Sequence, residues 1–487
     1  MGCLNSEEPS FRCTYDVKNW NEIRIINDRC FVDNNREVIN EEIKSKIKIL
    51  NDNKKEELIF NKKFDKRGDI IIDFIIEEKL TDMSFMFLNC SSLKKIEFIY
   101  FDTSLVDNMR YLFGGCGELE YLDLTLFNTS NVKDMFNMFV ECSKLKEIKG
   151  INNFNTTNVN NMKAMFRECN NLDNLDLTNF NTSNVADMEF MFKGCHKLKQ
   201  IIGIKNFETS KVTKMKGMFE GCFELEYLDL TNFNTSNATD MSCMFKYCKK
   251  LKELKNINNF KTPNSNNFNQ MLFECKELES LNLSNFDTSN ITDMTRMFYG
   301  CIKLKEIKGI DKFNTSKVTT MNSMFEDCNE LENLDLSNFD TSNVWNMDNM
   351  FNGCSKLKEI KGINKFNMSK VTRKNKMFYG CNSEFEKINF SNSAISADKI
   401  KISNNNDIKE KPIAVIFSSV DQSIRYAAVC YESDNFTKAE AQLFNEYPEL
   451  RVKNIDYLFG GDVIDRNLTL KQNKIKNNSN ILINYVD

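Results

Sequence analysis

The chain has 487 residues, of which 28 % are charged, and its formal net charge is only -4. A nearly neutral chain has no overall basic field with which to hold nucleic acid, so we expect no nucleic-acid partner. Four prolines and 17 glycines are few for this length, which excludes collagen-like and proline-rich linker architectures. No apolar run approaches the roughly 18 residues of a membrane-spanning helix, so the chain is not expected to cross a bilayer.

The N-terminus begins with a short motif that predicts a chemical modification. Residues 1–6 match the pattern M-G-x-x-x-[ST], in which loss of the initiator methionine exposes Gly2 to myristoylation. One myristoyl chain anchors a protein only marginally, so Cys3 is the predicted palmitoyl acceptor that supplies a second chain. We therefore expect an acylated tail at 1–19 and a location on the cytosolic face of a membrane in a eukaryotic cell. An accidental Gly-Cys start is the alternative.

Residues 20–80 alternate apolar and polar side chains in three short stretches. These are Glu22 to Ile26, Lys46 to Leu50 and Asp69 to Ile75. Such alternation is typical of strands, and an open end of a stacked repeat needs a cover. The segment is predicted to be a β-rich N-terminal cap.

Twelve of the 17 cysteines recur at intervals of 26 or 27 residues and not in pairs. They are Cys90, Cys116, Cys142, Cys169, Cys195, Cys222, Cys248, Cys275, Cys301, Cys328, Cys354 and Cys381. A fixed period indicates a repeat array, in which these thiols are predicted to pack in the core. The chain has no C-x-x-C pair and one histidine, His196, which we expect on a solvated turn. No residues are therefore available for a metal site or a histidine-based catalyst, and we expect no enzyme and no cofactor.

One repeat unit combines two periodicities. Apolar residues recur at spacings of three and four between Val132 and Cys142, which predicts a short helix or 3₁₀ coil capped by Ser130 or Asn131. The following Leu145 to Ile148 segment is typical of a short strand. Such a unit cannot bury its own apolar face, so the units must stack into a solenoid with a parallel sheet.

The strands alternate between an acidic class, such as L-E-Y-L-D-L, and a basic class, such as L-K-E-I-K-G-I. The basic class carries one extra residue, predicted to adopt a positive φ as in a bulge, at Gly150, Gly203, Asn256, Gly309 and Gly362.

Stacking of the two classes is predicted to place Lys146 and Lys149 beside Glu120 and Asp176 on neighbouring strands. The favoured interpretation is that these charge pairs fix the register in which the units stack. The alternative is a charged protein-binding face that includes Lys146, Lys149 and Asp176.

The repeated phrase N-x-S-N-V-x-x-M-x-x-M-F-x-x-C-x-x-L-x-x-L-x-L runs from residue 81 to about residue 390. It resembles the BspA-like leucine-rich-repeat family, whose variants also occur in bacterial surface lipoproteins. The resemblance implies a right-handed leucine-rich-repeat-like solenoid of about twelve 26/27-residue units over 81–395. It also implies adhesion or protein binding.

The pattern changes after a polar linker at 396–411. Residues 412–487 read as two strands, a helix, a third strand and a closing strand, an order typical of the β-grasp fold. The stretch from Leu458 to Ile483 resembles ubiquitin-like domains, and the resemblance places Leu458 in an apolar docking patch. The chain ends at Asp487 without a di-glycine tail, so we expect a domain that is not conjugated.

These observations predict an α+β protein, a solenoid followed by a ubiquitin-like domain. The predicted function is a non-enzymatic, membrane-tethered scaffold or adaptor, in which the solenoid binds one protein and the ubiquitin-like domain docks another. No small-molecule substrate is expected. The alternative is a cell-surface adhesin.

Overall fold

The computed structural model describes residues 8–27, 29–32, 36–39, 41–386, 388, 413–419, 425–432, 434–447, 450, 455–459, 462–466 and 468–485. The chain divides into two compact units, Met1–Ile402 and Ser403–Asp487. The predicted lipidation sites Gly2 and Cys3 lie outside the described residues, and so does the predicted linker.

The first unit opens with a β-rich cap. Its elements are β1 (Phe11–Val17), β2 (Ile23–Arg24), β3 (Arg29–Val32), β4 (Arg36–Ile39), α1 (Glu41–Lys46), β5 (Ile47–Asn51), β6 (Lys54–Glu57), β7 (Asn61–Lys62), β8 (Gly68–Ile76) and β9 (Leu93–Phe98). Five of them form an antiparallel sheet in the order β6-β5-β8-β1-β9.

Strand β1 corrects the predicted boundary of the cap. Residues 11–17 were assigned to the tail at 1–19, but they form an inner strand of the sheet with alternate side chains buried. Apolar residues at alternate positions, such as Phe11, Cys13 and Tyr15, bury one face of β1. The folded cap therefore starts before residue 20.

The solenoid contributes ten strands of three residues each. They are β10 (Tyr121–Asp123), β11 (Glu147–Lys149), β12 (Asn174–Asp176), β13 (Gln200–Ile202), β14 (Tyr227–Asp229), β15 (Glu253–Lys255), β16 (Ser280–Asn282), β17 (Glu306–Lys308), β18 (Asn333–Asp335) and β19 (Glu359–Lys361). Each acidic strand pairs in parallel with the basic strand that follows it, which gives five two-stranded sheets.

The solenoid makes about nine turns from its first three-residue strand to its last, not the twelve predicted. Counting cysteines gives too many turns, because the coils at the two ends lack the three-residue strand. At the start of the array, β9 is recruited into the antiparallel sheet of the cap. After β19, the last helix or strand in the described part of this unit is the short helix α2 (Ser383–Glu386).

The predicted helix or 3₁₀ coil of each repeat is instead a run of tight turns. Asn137 and Glu141 have φ values of 55° and 60°, which interrupt helical geometry. Their backbone N–H groups donate to Lys163 and Arg167 of the next coil, at 3.0 and 2.8 Å. The same pattern of turns recurs along the array, so hydrogen bonds join the coils along the solenoid axis.

The core of the solenoid consists of stacked columns of identical residues. The periodic apolar residues between Val132 and Cys142 are fully buried, as predicted. Phe139, Phe166 and Phe192 stack with ring centroids 5.5 and 5.7 Å apart. A second column of buried threonines, such as Thr129, binds each coil to the next, since its hydroxyl donates to the Asn155 carbonyl at 3.0 Å.

The inserted residue of the basic class has the predicted positive φ. Gly203 has a φ of 87°, and Asn256 at the equivalent position has a φ of 63°. The inserted residue does not make a β-bulge. It begins a one-turn 3₁₀ helix, such as Ile204–Asn206 after Gly203.

The described part of the second unit contains a mixed five-stranded sheet and one helix. Its elements are β20 (Ile413–Ser419), β21 (Arg425–Cys430), α3 (Phe436–Glu446), β22 (Ile455–Phe459), β23 (Asp462–Val463) and β24 (Ser479–Tyr485). The strand order is β21-β20-β24-β22-β23, in which β20 and β24 are parallel and the other neighbours antiparallel. The four predicted strands and the helix are present in the predicted order, and the two-residue strand β23, which was not predicted, lies between the third strand and the closing strand.

Candidate protein-binding face of the solenoid

The exposed side of β10–β19 and the residues that flank these strands form what we call the strand face. In each strand the central residue points into the core and its neighbours point outward. Leu122 is 2 % exposed, whereas Tyr121 on the same strand is 56 % exposed. This alternation follows from strand geometry and puts two outward rows of side chains on every coil.

Ion pairs cross the strand face between the two strands of a pair. In the first pair, Lys146 donates to Glu120 and Lys149 donates to Asp123, each at 2.7 Å. A third pair flanks the strands, where Lys144 donates to Glu118 at 2.6 Å. Because the sheets are parallel, equivalent positions lie side by side and the pairs recur in rows.

The same three rows continue in most of the other strand pairs, with separations of 2.6–3.1 Å. The recurring pairs are Lys250–Glu224, Lys252–Glu226, Lys255–Asp229, Lys303–Glu277, Lys305–Glu279, Lys356–Glu330, Lys358–Glu332 and Lys361–Asp335.

The predicted partner-binding residues are only partly brought together. Lys146 meets Glu120 as expected, but Lys149 pairs with Asp123 of the preceding strand and not with Asp176. The Asp176 carboxylate accepts hydrogen bonds from the Thr178 backbone N–H at 3.0 Å and from its hydroxyl at 2.6 Å. The ladder joins β10 to β11 and does not continue from β11 to β12, which explains why Asp176 is not the partner.

The pairs shift the ionisation of both partners in the expected directions. The hydrogen bond from Lys146 lowers the pKa of the Glu120 carboxyl, and the same contact raises the pKa of Lys146. Both side chains are nonetheless open to solvent, so the pairs are of the screened, surface kind.

The second strand pair, β12 with β13, breaks all three rows. Asn171 stands where the other pairs have a glutamate, the shorter Asp173 stands at the second glutamate position, and Ile202 replaces the third lysine. Within residues 41–386, Lys197 and Lys199 therefore make no ion pair, in contrast to their equivalents Lys144 and Lys146.

An aromatic stack lies beside these two lysines. The His196 ring stacks on Phe223 with centroids 4.4 Å apart, and the Lys249 ammonium lies 4.7 Å from the Phe223 ring centre. Burial, and then the charge of Lys249, lower the pKa of His196, so the ring is neutral near pH 7. His196 lies on a turn, as predicted, but it is half-buried and not fully solvated, because Phe223 in the next coil covers one face of the imidazole.

A groove of about 810 Å³ opens at the start of the strand face, between β9 and β10. Tyr121 and Leu126, which are 56 % and 49 % exposed, line it beside Phe98. The paired residues Glu120 and Lys149 also line it. The groove thus offers large apolar side chains framed by charges.

In the second unit, Leu458 lies on the face of the sheet opposite the buried Tyr457. It is half-buried and stands directly across from Val463 and Leu482 on the neighbouring strands. Val463 is 63 % exposed, so an apolar patch is present on this outer face.

Neither a metal site nor a membrane span is found in the described part of the chain. No cluster of three or more His, Cys, Asp or Glu side chains there has the arrangement of a metal site. No described helix combines the length and the apolar character needed to cross a bilayer.

A known protein family matches the residues that form the repeated coils. The family described as "Mycoplasma protein of unknown function, DUF285" matches four overlapping segments, residues 59–175, 166–281, 223–329 and 266–393. The chain belongs to the DUF285 family. No curated protein and no solved structure matches it. The DUF285 match covers the solenoid and part of the cap, which supports the repeat assignment but assigns no activity.

Sequence reasoning missed the break in the ion-pair rows, although the sequence carried its signal. Aligning the five acidic strands shows Asn171 and Asp173 where the other four have glutamates. The column of thiol hydrogen bonds, in which Cys142 donates to the Phe113 carbonyl at 3.1 Å, had no such signal.

Proposed function

We propose that this DUF285 protein is a non-enzymatic scaffold whose strand face binds a protein partner. The observation that carries the proposal is the open groove between β9 and β10, where exposed Tyr121 and Leu126 stand beside paired charges. Aromatic side chains on an exposed surface, framed by polar groups, are typical of protein interfaces. The stacked core makes the face rigid, so a partner can bind without ordering it first.

The second unit is proposed to dock a different protein. The strand order with β20 and β24 parallel and central, together with the single helix α3, supports a ubiquitin-like β-grasp. The apolar pair Leu458 and Val463 on the outer face supports its use as a docking surface. The repeated N-x-S-N-V unit likewise supports a relationship of the coils to BspA-like leucine-rich repeats.

We further propose that the chain is tethered to the cytosolic face of a membrane through acyl chains on Gly2 and Cys3. The support is the M-G-x-x-x-[ST] pattern with an adjacent cysteine, which supplies the two chains that stable anchoring requires.

The binding proposal is tested by site-directed photocrosslinking of the full chain in its native cells. A photoreactive amino acid replaces Leu126 in the groove, and a matched variant carries it at the exposed Thr372, far along the coil array. Under the proposal, one protein crosslinks reproducibly at position 126 and not at 372. Double substitution of Tyr121 and Leu126 by serine, with the crosslinker moved to the adjoining Thr125, removes that product. Equal labelling at both positions contradicts the proposal.

A further inference from the structure

Within residues 41–386, the one strand pair without ion pairs leaves two lysines unpaired, whereas their equivalents on the other four strand pairs are all paired. Four of the five strand pairs neutralise the lysines equivalent to Lys197 and Lys199 with glutamates 2.6–2.8 Å away. We propose that Lys197 and Lys199 form a docking site for a short, extended, acidic segment of a protein partner. The inference rests on the proposed protein-binding function and names the site and the chemistry of its ligand.

The geometry of the two lysines fits an extended ligand. Lys197 and Lys199 flank Leu198, which is fully buried, so both side chains leave the same side of the chain and are exposed. Alternate residues of an extended chain are about 6.6 Å apart. A partner segment with carboxylates at alternate positions has the same spacing, so two charges on the partner can meet two charges on the strand face.

Apolar contact is available next to the cations. The hollow at the site has a volume of about 420 Å³ and is lined by both lysines, His196 and Phe223. The neutral His196 ring stacked on Phe223 presents a flat surface to a side chain of the ligand. Ile202, on the same strand pair, is 42 % exposed. A segment that carries a larger side chain on the same face as its carboxylates, two residues beyond them, finds complementary groups for both.

The carboxylates near Lys197 and Lys199 do not neutralise the positive charge of the site. Glu224, which also lines the hollow, is held by Lys250 at 2.6 Å. Within residues 41–386, Asp173 makes no ion pair and is the one unpaired carboxylate that lines the hollow, against two unpaired lysines, so the lining keeps a net positive charge. Asp176 of the same strand pair lies outside this lining, and its carboxylate accepts two hydrogen bonds from Thr178. The positive site is therefore confined to one strand pair.

The neighbouring coils favour a short acidic segment over a long polyanion. The strand pairs on either side present as many carboxylates as lysines along the three rows. A nucleic acid or sulfated polysaccharide that crossed several coils would meet those carboxylates, whereas a segment that spans one strand pair would not.

The test measures binding of a fluorescein-labelled peptide of alternating glutamate and threonine to the full chain by fluorescence anisotropy. Lys197→Gln with Lys199→Gln should raise Kd about tenfold, since two exposed ion pairs are lost. Asn171→Glu with Asp173→Glu should do the same while keeping both lysines, because it restores the glutamates that the other pairs have. The matched control is Lys303→Gln with Lys305→Gln, which removes two lysines already paired with Glu277 and Glu279 and should change Kd less than about twofold.

Each other outcome has a definite meaning. Equal weakening in the control double variant, or peptide binding that survives both test variants, overturns the site. If the test variants lose binding of heparin while binding of the peptide is unaffected, the site belongs to a polyanion. That result overturns the proposed ligand. If the peptide fails to bind the unmodified chain while the partner crosslinked at position 126 still binds, this inference fails alone. If no partner crosslinks either, the proposed function fails with it.

Discussion

The thiol of Cys222 donates a hydrogen bond to the carbonyl oxygen of Phe192 in the preceding coil, with Sγ 3.2 Å from the oxygen. The same contact recurs along the cysteine column, for example from Cys248 to Phe219. Burial raises the pKa of the Cys222 thiol well above its ordinary value, so the group stays a neutral donor. The column thus joins adjacent coils as well as filling the core.

Replacing Cys222 with alanine should lower the free energy of unfolding by about 1 kcal/mol, because a small cavity forms and a weak donor is lost. Cys222→Asp should disrupt the stack locally, since a charge is buried without a partner. Thermal unfolding followed by circular dichroism measures both, with Cys243→Ala at a half-buried turn position as the control. Added reductant should leave the melting temperature unchanged, and a fall would mean that the cysteines are disulfide-bonded.

A side chain at Gly203 is predicted to force the backbone away from its present conformation, toward the lower φ of 63° that Asn256 has at the equivalent position. The φ of Gly203 is 87°, and an added Cβ would lie 2.5 Å from the Thr178 Cα and N atoms. Gly203→Ala should therefore lower the free energy of unfolding by at least about 1 kcal/mol. Gly117→Ala is the matched control, because a Cβ there would come no nearer than 3.6 Å to a neighbour, the Ser143 Oγ. Equal melting temperatures for the two variants would contradict the steric argument.

The coil array could be predicted because its signal is repeated many times over. The cysteine period identified the unit, and the single inserted residue at Gly203 identified the positive φ. The helical turn was predicted wrongly because spacings of three and four bury one face in a helix and in a solenoid corner alike. Asn137 and Glu141 gave no sign of their left-handed conformations, which exist because the next coil accepts their N–H groups.

The site was less predictable than the fold, because ion pairing depends on which strands are neighbours. Sequence placed Lys149 near Asp176, one coil ahead, whereas the hydrogen-bonded pairing of β10 with β11 brings it to Asp123. The stack of His196 on Phe223 also joins adjacent coils, and nothing in a single repeat indicates it.

The ion pairs predict how the stability of the solenoid depends on pH. The hydrogen bond from Lys358 lowers the pKa of Glu332 in the folded chain below its unfolded value of about 4.3. The contribution is therefore fully present above about pH 4.3 and is lost as the pH falls through the lower folded pKa. Glu332→Gln should therefore reduce the fall in melting temperature between about pH 5 and pH 3. Identical pH profiles for Glu332→Gln and the unmodified chain would show that the pair contributes nothing.

The proposed lipid anchor predicts a graded response to two substitutions. Gly2→Ala should leave the protein in the soluble fraction, because it removes the myristate on which the second acylation commonly depends. Cys3→Ser should give weak, exchanging membrane binding, since a single chain remains. Membrane flotation of cell extracts distinguishes the two. Unchanged flotation of Gly2→Ala contradicts the anchor, and removal of the protein by protease treatment of intact cells would favour the cell-surface adhesin instead.

The proposed docking of a partner by the second unit should be lost through changes on the outer face of its sheet. Leu458 is half-buried, so Leu458→Asp alone could abolish binding by destabilising the fold. Val463, its cross-strand neighbour, is 63 % exposed, so an aspartate there should cost little folding stability. Val463→Asp should abolish capture of a partner by the full chain while its circular dichroism and melting temperature stay unchanged, and Leu458→Asp should do so with a small loss of stability. Leu468→Asp, at a 37 % exposed leucine outside the strands, is the control and should bind normally.

The measurement is crosslinking from a photoreactive residue at position 456, which lies on the same face as Leu458 because side chains alternate along β22. If the crosslinked partner persists in both aspartate variants, the apolar patch is not the docking surface, and the sheet contributes to the fold alone.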